Sequence, residues 1–404
     1  MIRIGVLGGG ASGFFIGANL PKSKNYNVTI FEQSSEALQK VKISGGGRCN
    51  VTNACFNAKE LVENYPRGRK ELLSVFSVFQ PKDTMDWFSK NGVSLKIEAD
   101  NRVFPVSNQS SSIVNCLRGK ALEHGITEKY STTIIAIKKE NNGFWVSTKT
   151  ESFFFDVLII TTGSSPKTWE VIKNLGHKII PPLPSLFTFN CTDSLLKGMA
   201  GTSFDKISVK ISSTKLEQIG AALITHRGLS GPAILKLSAW GARALADVNY
   251  TFEITINWIG LSRQETIDFL FKFKKDNLNK SIINLYASLP ITKNFWIKIL
   301  TKATIKEQTK LSEISNRDVL MLSEILTQSK LLISGKNTFK EEFVTCGGID
   351  LKEINFKTME SKLIPNLYFA GEVLNIDAVT GGFNFQAAWS EAFIISQQLK
   401  TKFN

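Results

Sequence analysis

Three stretches of this chain combine residue types and spacings that could do chemistry. In the first, Gly8-x-Gly10-x-x-Gly13 stands between an apolar run at 2–7 and a helix-compatible run at 14–20. The first glycine permits a tight turn, the second lets backbone approach a pyrophosphate, and the third lets the helix pack close to the strand. With Ala11 and Ser12 between them, these residues aim a helix N-terminus, with its unpaired N–H groups and positive dipole end, at phosphate oxygens. A second strand at 28–31 ends in Glu32, an acid suited to the hydroxyls of a ribose. A glycine turn without a ligand accounts for the glycines but not for the strand, helix and acid around them. The stretch reads as a dinucleotide site.

The second stretch runs from Lys42 through Ser44-Gly45-Gly46-Gly47-Arg48-Cys49-Asn50 to Asn53. Successive backbone N–H groups and the Arg48 cation suit an anionic or electron-rich ligand edge. The third lies towards the C-terminus, where an apolar strand leads into Gly371-Glu372 and the pair Gly381-Gly382 precedes a helix from Asn384. Glu372 would meet a ligand at the carboxyl edge of a sheet. The helix N-terminus would favour the negative charge that appears on a reduced flavin. Thr162-Gly163, after the continuous apolar run 156–161, ends one more strand in the same manner.

Two side chains are candidates for proton transfer. Cys49 could donate a proton beside the ligand, or simply pack as a small thiol. His226, in Thr225-His226-Arg227-Gly228, could orient a substrate, or be satisfied by a turn carbonyl. Cys49 and Cys55 have five residues between them, where disulfide-reductase pairs have four, and no second GxGxxG is present. Electron relay through a thiol pair is therefore not expected. The five cysteines are scattered and odd in number, which suits reduced thiols in the cytoplasm. With three histidines and no His/Cys cluster, no metal site is expected.

These groups need elements to hold them. At 404 residues the chain suits two or three domains, and no apolar run reaches the roughly 18 residues of a membrane span. Helices are predicted over 68–92, in two pieces broken at Pro81, and over 107–125; strands are predicted at 132–137, 144–148 and 152–155. Pro181, Pro182 and Pro184 mark a boundary. Short alternating strands are predicted over 187–258, and helices rich in Lys, Leu and Ile over 261–334, where about a dozen basic residues face seven acidic ones. Strands resume after Gly335, so the pattern is α/β. The formal net charge is +14 and the pI about 9.4, which favours a polyanionic partner such as nucleic acid or an anionic membrane, or else reflects a lysine-rich composition without a partner. Arg67, Arg69 and Lys70, with Lys272, Lys274 and Lys275, are the candidate RNA-binding cations.

The run from Lys42 to Asn53 resembles the hallmark loop of the BaiN/RdsA family of bacterial NAD(P)/FAD-dependent flavoproteins. So do Gly371-Glu372-Val373-Leu374-Asn375-Ile376-Asp377 and Thr380-Gly381-Gly382-Phe383-Asn384. The stretches 102–107, 229–232 and 347–349 match too, so the resemblance covers the whole chain. Ala378 stands where the family often has glycine, and Cys346 where it has alanine. The resemblance implies a discontinuous, Rossmann-like FAD domain of the glutathione-reductase βαβ type at 1–185 and 335–404. An inserted β-barrel at 186–260 and a helical subdomain at 261–334 interrupt it. It also implies non-covalent FAD, NAD(P)H as a transient electron donor, and reduction of a C=C bond. The substrate would be a uridine of 23S ribosomal RNA or a small enone such as a bile acid. A flavin-bound RNA or assembly factor without turnover is the non-enzymatic alternative.

Overall fold

A continuous apolar strand needs cover on both faces, and β1 (Ile2–Leu7) has it, with Ile4, Val6 and Leu7 buried. In the computed structural model, which describes residues 1–337 and 344–403, β1 pairs in parallel with β2 (Tyr26–Phe31) and, on its other side, with Val157–Ile160. Thr127–Lys129 continues the parallel sheet beyond β2, and Leu367–Phe369 beyond Val157–Ile160. Glu360–Ser361 and Ile354–Asn355 add an antiparallel edge. Among the parallel strands, chain order thus runs outward from β1 in both directions. That reversal is a topological switch point, and open α/β sheets bind their ligands outside the carboxyl ends of the strands there.

The helix α1 (Ala11–Asn19) is buried from Ser12 to Asn19, so its sequence is apolar all round. Phe15 packs against Trp87, Trp389 and Phe79, with ring centroids 4.7, 5.2 and 5.8 Å away. Each such ring stabilises the fold by about 2–3 kcal/mol through burial. These rings join α1 to the helices Pro81–Lys90 and Phe383–Phe403, which brings the two ends of the chain together. The buried amide of Asn19 is satisfied by Trp87 Nε1 at 3.0 Å and the Phe15 carbonyl at 2.8 Å.

The chain forms two compact units, 1–184 with the residues from 344 onward, and 185–337. The remainder of the expected segment 335–404, at 338–343 and 404, lies outside the described residues. In the second unit an antiparallel sheet of seven strands shares one apolar core with the helices Arg263–Asp276, Lys293–Lys302 and Asn316–Thr327. Two expectations change here. The stretch read as strands throughout 187–258 contains a helix, Pro232–Asp247, started by a proline whose missing N–H costs nothing at that position. The segment 261–334 is not helical to its end. Ser329–Ser334 alternates buried and exposed residues and pairs with Thr251–Asn257, so the helices interrupt the sheet rather than follow it.

Among the described residues no helix is long and apolar enough to cross a membrane, and no three His, Cys, Asp or Glu side chains gather so as to hold a metal ion.

In the first unit Arg67 reaches Asp377 through Nε and Nη2, and the Asp377 side chain is fully buried. This pair anchors the loop 371–382. Arg67 was expected among the RNA-binding cations, but its guanidinium is committed to a buried carboxylate. Asp377→Ala should therefore cost about 3–5 kcal/mol by stranding a largely buried cation, read as a fall in the midpoint of chemical denaturation.

Candidate functional site

The carboxyl ends of the parallel strands gather the first set of candidate residues. Gly8 has a φ of +114°, and a side chain there would strike the Thr161 carbonyl. A methyl group on Gly13 would collide with the Gly8 carbonyl oxygen. Gly10 differs: a Cβ there would meet no protein atom within 4 Å. Gly10 also leaves α1 without a side-chain cap, so the first-turn N–H groups of Ala11 and Ser12 face that open space. Glu32 lies beside it, with Oε2 accepting from Gly9 N–H at 3.0 Å and Oε1 from Ser34 N–H at 2.8 Å. A carboxylate has about four acceptor positions, so two remain for hydroxyls.

Gly371 follows the strand Leu367–Phe369, and a Cβ on it would stand 2.8 Å from Ser12 Oγ. Glu372 accepts from Thr345 N–H at 2.9 Å, pairs with Lys40, and lies against Gly163. Gly8, Gly10, Ala11, Ser12, Gly13, Glu32, Thr162, Gly163, Gly371 and Glu372 thus gather at the carboxyl ends of the parallel strands, around the cleft that opens beside Gly10. Among the described residues of this unit, three buried side-chain atoms have no protein partner: Thr162 Oγ1, Asn375 Oδ1 and Glu391 Oε1. All three stand on segments that border the cleft. Buried polar atoms call for partners, and a polar cofactor in the cleft would supply them.

A second meeting point joins the two remaining glycine stretches. The helix Gln39–Gly47 breaks at Ser44, whose ψ is 150°, and Gly45 and Gly46 have φ values of +58° and +68°. A Cβ on Gly45 would press on Asn50 N at 3.0 Å. Asn53 Nδ2 donates to the Gly381 carbonyl at 3.1 Å, and a Cβ on Gly382 would collide with the Thr52 carbonyl. Oriented to satisfy both atoms of its amide, Asn50 accepts from Gly382 N–H at 2.9 Å. Asn384 clamps the loop by accepting from Ala378 N–H at 2.9 Å and donating to the Ala378 carbonyl at 3.2 Å.

Several expected residues take other work. Cys49 is fully buried, and burial pushes its thiol up to about 12. With no surface open to a substrate in this structure, the thiol packs as a small apolar side chain. Arg48 pairs with Glu98 at 2.6 Å and lies over the Phe104 ring, 3.9 Å from its centroid. Lys42 turns to Glu36 at 3.1 Å, while its carbonyl accepts from Ser110 Oγ. His226 is exposed at a hairpin turn of the second unit, between Glu217–Thr225 and Gly228–Ser230. Lys274 donates to the Ile314 carbonyl and is half-buried, so it leaves the candidate RNA surface; Lys70, Lys272 and Lys275 remain exposed, as does Arg69 beside Glu63.

The sequence reading missed Glu391. It lies on the C-terminal helix, fully buried, with Oε2 accepting from Gly371 N–H at 2.6 Å. Burial pushes its carboxyl up to about 8, against the pull of that N–H. An acid on the buried face of an apolar helix was the available signal.

Residues 2–398 match the HI0933-like protein Rossmann domain, and the chain belongs to that family. A ribosomal RNA dihydrouridine synthase of Escherichia coli (strain K12) is 26% identical over 98% of this chain and 97% of that protein. A 3-dehydro-bile acid delta(4,6)-reductase of Clostridium scindens is 24% identical over 98% of each. A solved 3-ketosteroid delta1-dehydrogenase from Sterolibacterium denitrificans aligns over the full length of both chains at 9% identity with a TM-score of 0.51, a likeness of fold alone. The family is one of FAD-binding, flavin-dependent oxidoreductases, and this chain is an enzyme of that class. The cleft fits FAD: open N–H groups for phosphates, an acid for ribose hydroxyls, and orphaned polar atoms awaiting partners.

Two outcomes test the site. Gly10→Val should leave the FAD-free protein as stable as wild type yet colourless after purification, because only the ligand's space is filled. Gly13→Ala should lose FAD and also about 1–3 kcal/mol of stability, because the phosphate loop itself must move.

Glu391 sets a pH dependence. Its folded value lies above the ordinary 4.5, so between there and about 8 the folded protein holds a proton that the unfolded chain has lost. Stability of the FAD-free protein should fall as pH rises through that window, by up to about 1.4 kcal/mol per unit from this group. Glu391→Gln should flatten the profile of melting temperature against pH between 5 and 8.

Proposed function

We propose that the enzyme uses NAD(P)H to reduce its FAD and then the C=C bond of a uridine in 23S ribosomal RNA, forming dihydrouridine in the cytoplasm. The observation that carries this reading is the net charge of +14. An RNA substrate is held largely by neutralising its phosphates, whereas a small apolar substrate asks for no such excess. Lys272 and Lys275 on Arg263–Asp276, and Arg69 and Lys70 on Arg69–Phe76, offer exposed cations to it. The relative named as a ribosomal RNA dihydrouridine synthase supports the same substrate class. FAD supplies two-electron acceptance and hydride delivery when bound. The chain's part is to hold the cofactor at the strand ends and to keep Glu372 and the 44–50 loop ordered around it. A single GxGxxG means that NAD(P)H visits the flavin without a Rossmann domain of its own.

The bile-acid reductase relative favours a second reading, reduction of a small enone. Nucleoside mass spectrometry of ribosomal RNA from cells with and without the gene separates the two. Loss of one dihydrouridine on deletion is the expected result, and unchanged dihydrouridine would overturn the RNA reading. RNA binding should also weaken steeply with salt, and the Lys272→Glu, Lys275→Glu double variant should lower that slope by roughly 0.7–0.9 per lost phosphate contact. Its FAD content should stay at the wild-type level.

A further inference from the structure

Glu372 places a fixed negative charge in a cleft built to receive a diphosphate. The preceding residue, Gly371, abuts Ser12 of the phosphate loop, and the Glu372 carboxylate lies 3.9 Å from where a Cβ on Gly163 would stand. The Glu372 side chain is 19% exposed, while that of Lys40 is 56% exposed and reaches it from the solvent side. One oxygen takes the Thr345 N–H at 2.9 Å, and the other meets the Lys40 ammonium. Lys40 comes from Gln39–Gly47, the helix that leads into the second glycine stretch. Of the three cations in 39–48, Lys42 turns to Glu36 and Arg48 to Glu98; Lys40 is the one that turns to the cleft.

We infer that Lys40 is the counter-charge of the FAD cleft: it neutralises Glu372 so that the cofactor's diphosphate can enter beside a carboxylate. Glu372 then keeps its value as an acceptor for cofactor hydroxyls without repelling the phosphates. Lys40 acts through Glu372 and is a positioning residue. The inference rests on the reading of this cleft as the FAD site.

FAD titrated into the full-length, FAD-stripped protein, followed by quenching of flavin fluorescence, provides the test. Saturable binding to wild type checks the reading of the cleft by itself; the variants then check Lys40. Lys40→Ala should weaken FAD binding severalfold, since it leaves the Glu372 carboxylate without its partner beside the incoming phosphates. Lys40→Arg should bind nearly as wild type. The decisive variant is Lys40→Ala with Glu372→Gln. Glutamine keeps the acceptor oxygen but carries no charge, so affinity should return to within about threefold of wild type. The same series in rising salt should show the Lys40→Ala defect shrinking. A double variant as weak as Lys40→Ala alone would overturn the inference, because Lys40 would then serve the phosphates directly. So would a Lys40→Ala protein that binds FAD as tightly as wild type while keeping its melting temperature.

Discussion

Between Gly13 and the carbonyl of Gly8 there is no room for one methyl group, and that closeness sets where α1 begins relative to β1. Thr161 reinforces it from the neighbouring strand, donating its hydroxyl to the carbonyl of Gly8 at 2.8 Å while its N–H bonds that of Leu7 at 2.8 Å. With the turn pinned on both sides, the uncapped N–H groups of α1 have a fixed direction. Everything downstream inherits it: Gly10 faces open space, Glu32 is drawn in by the Gly9 N–H, and Gly371 is brought against Ser12. Preorganised donors of this kind bind anions without reorganising first.

Three carboxyl groups border the cleft, and each is held by main-chain N–H groups rather than left to find its own place. Gly9 and Ser34 hold Glu32, Thr345 holds Glu372, and Gly371 holds Glu391. Their surroundings then set them apart. Glu32 keeps lone pairs free, Glu372 has an ammonium beside it, and Glu391 is fully buried, where the neutral form is favoured. Much of the positive charge in the loops is used elsewhere, on Glu36, Glu98 and Asp377.

What the sequence made legible is what residue type alone encodes. Gly8 and Gly13 are glycines because no side chain fits, and a local spacing carries that requirement. The parallel strands were visible as apolar runs, and the break at Pro81 starts a helix. Partnerships across hundreds of residues were not visible. Nothing near Arg67 says that Asp377 will claim it, and nothing local distinguishes Lys40 from Lys42. The second unit was misread where two patterns overlap. Pro232–Asp247 buries Ile234, Leu237, Gly241 and Leu245 at helical spacing, a signal overlooked among the short strands around it, and Ser329–Ser334 follows a helix with only Gln328 between them. Cys49 was drawn into the chemistry by its neighbours' motif, and only burial shows it to be packing.

The first unit is interrupted in sequence although continuous in space, and this bears on how the protein is made. Its parallel sheet takes Leu367–Phe369 as an outer strand, and the Phe15 cluster is completed by Trp389. During synthesis the ribosome must therefore extend the chain past Trp389 before the nucleotide-binding half can close. The second unit, drawn from the uninterrupted stretch 185–337 apart from the few residues that follow it, can assemble while the C-terminal segment is still emerging. Until then the phosphate loop waits on an unfinished sheet, and Phe15 has Phe79 and Trp87 but lacks Trp389. A site that needs Gly371 and Glu372 beside Ser12 is therefore complete only after that segment has emerged.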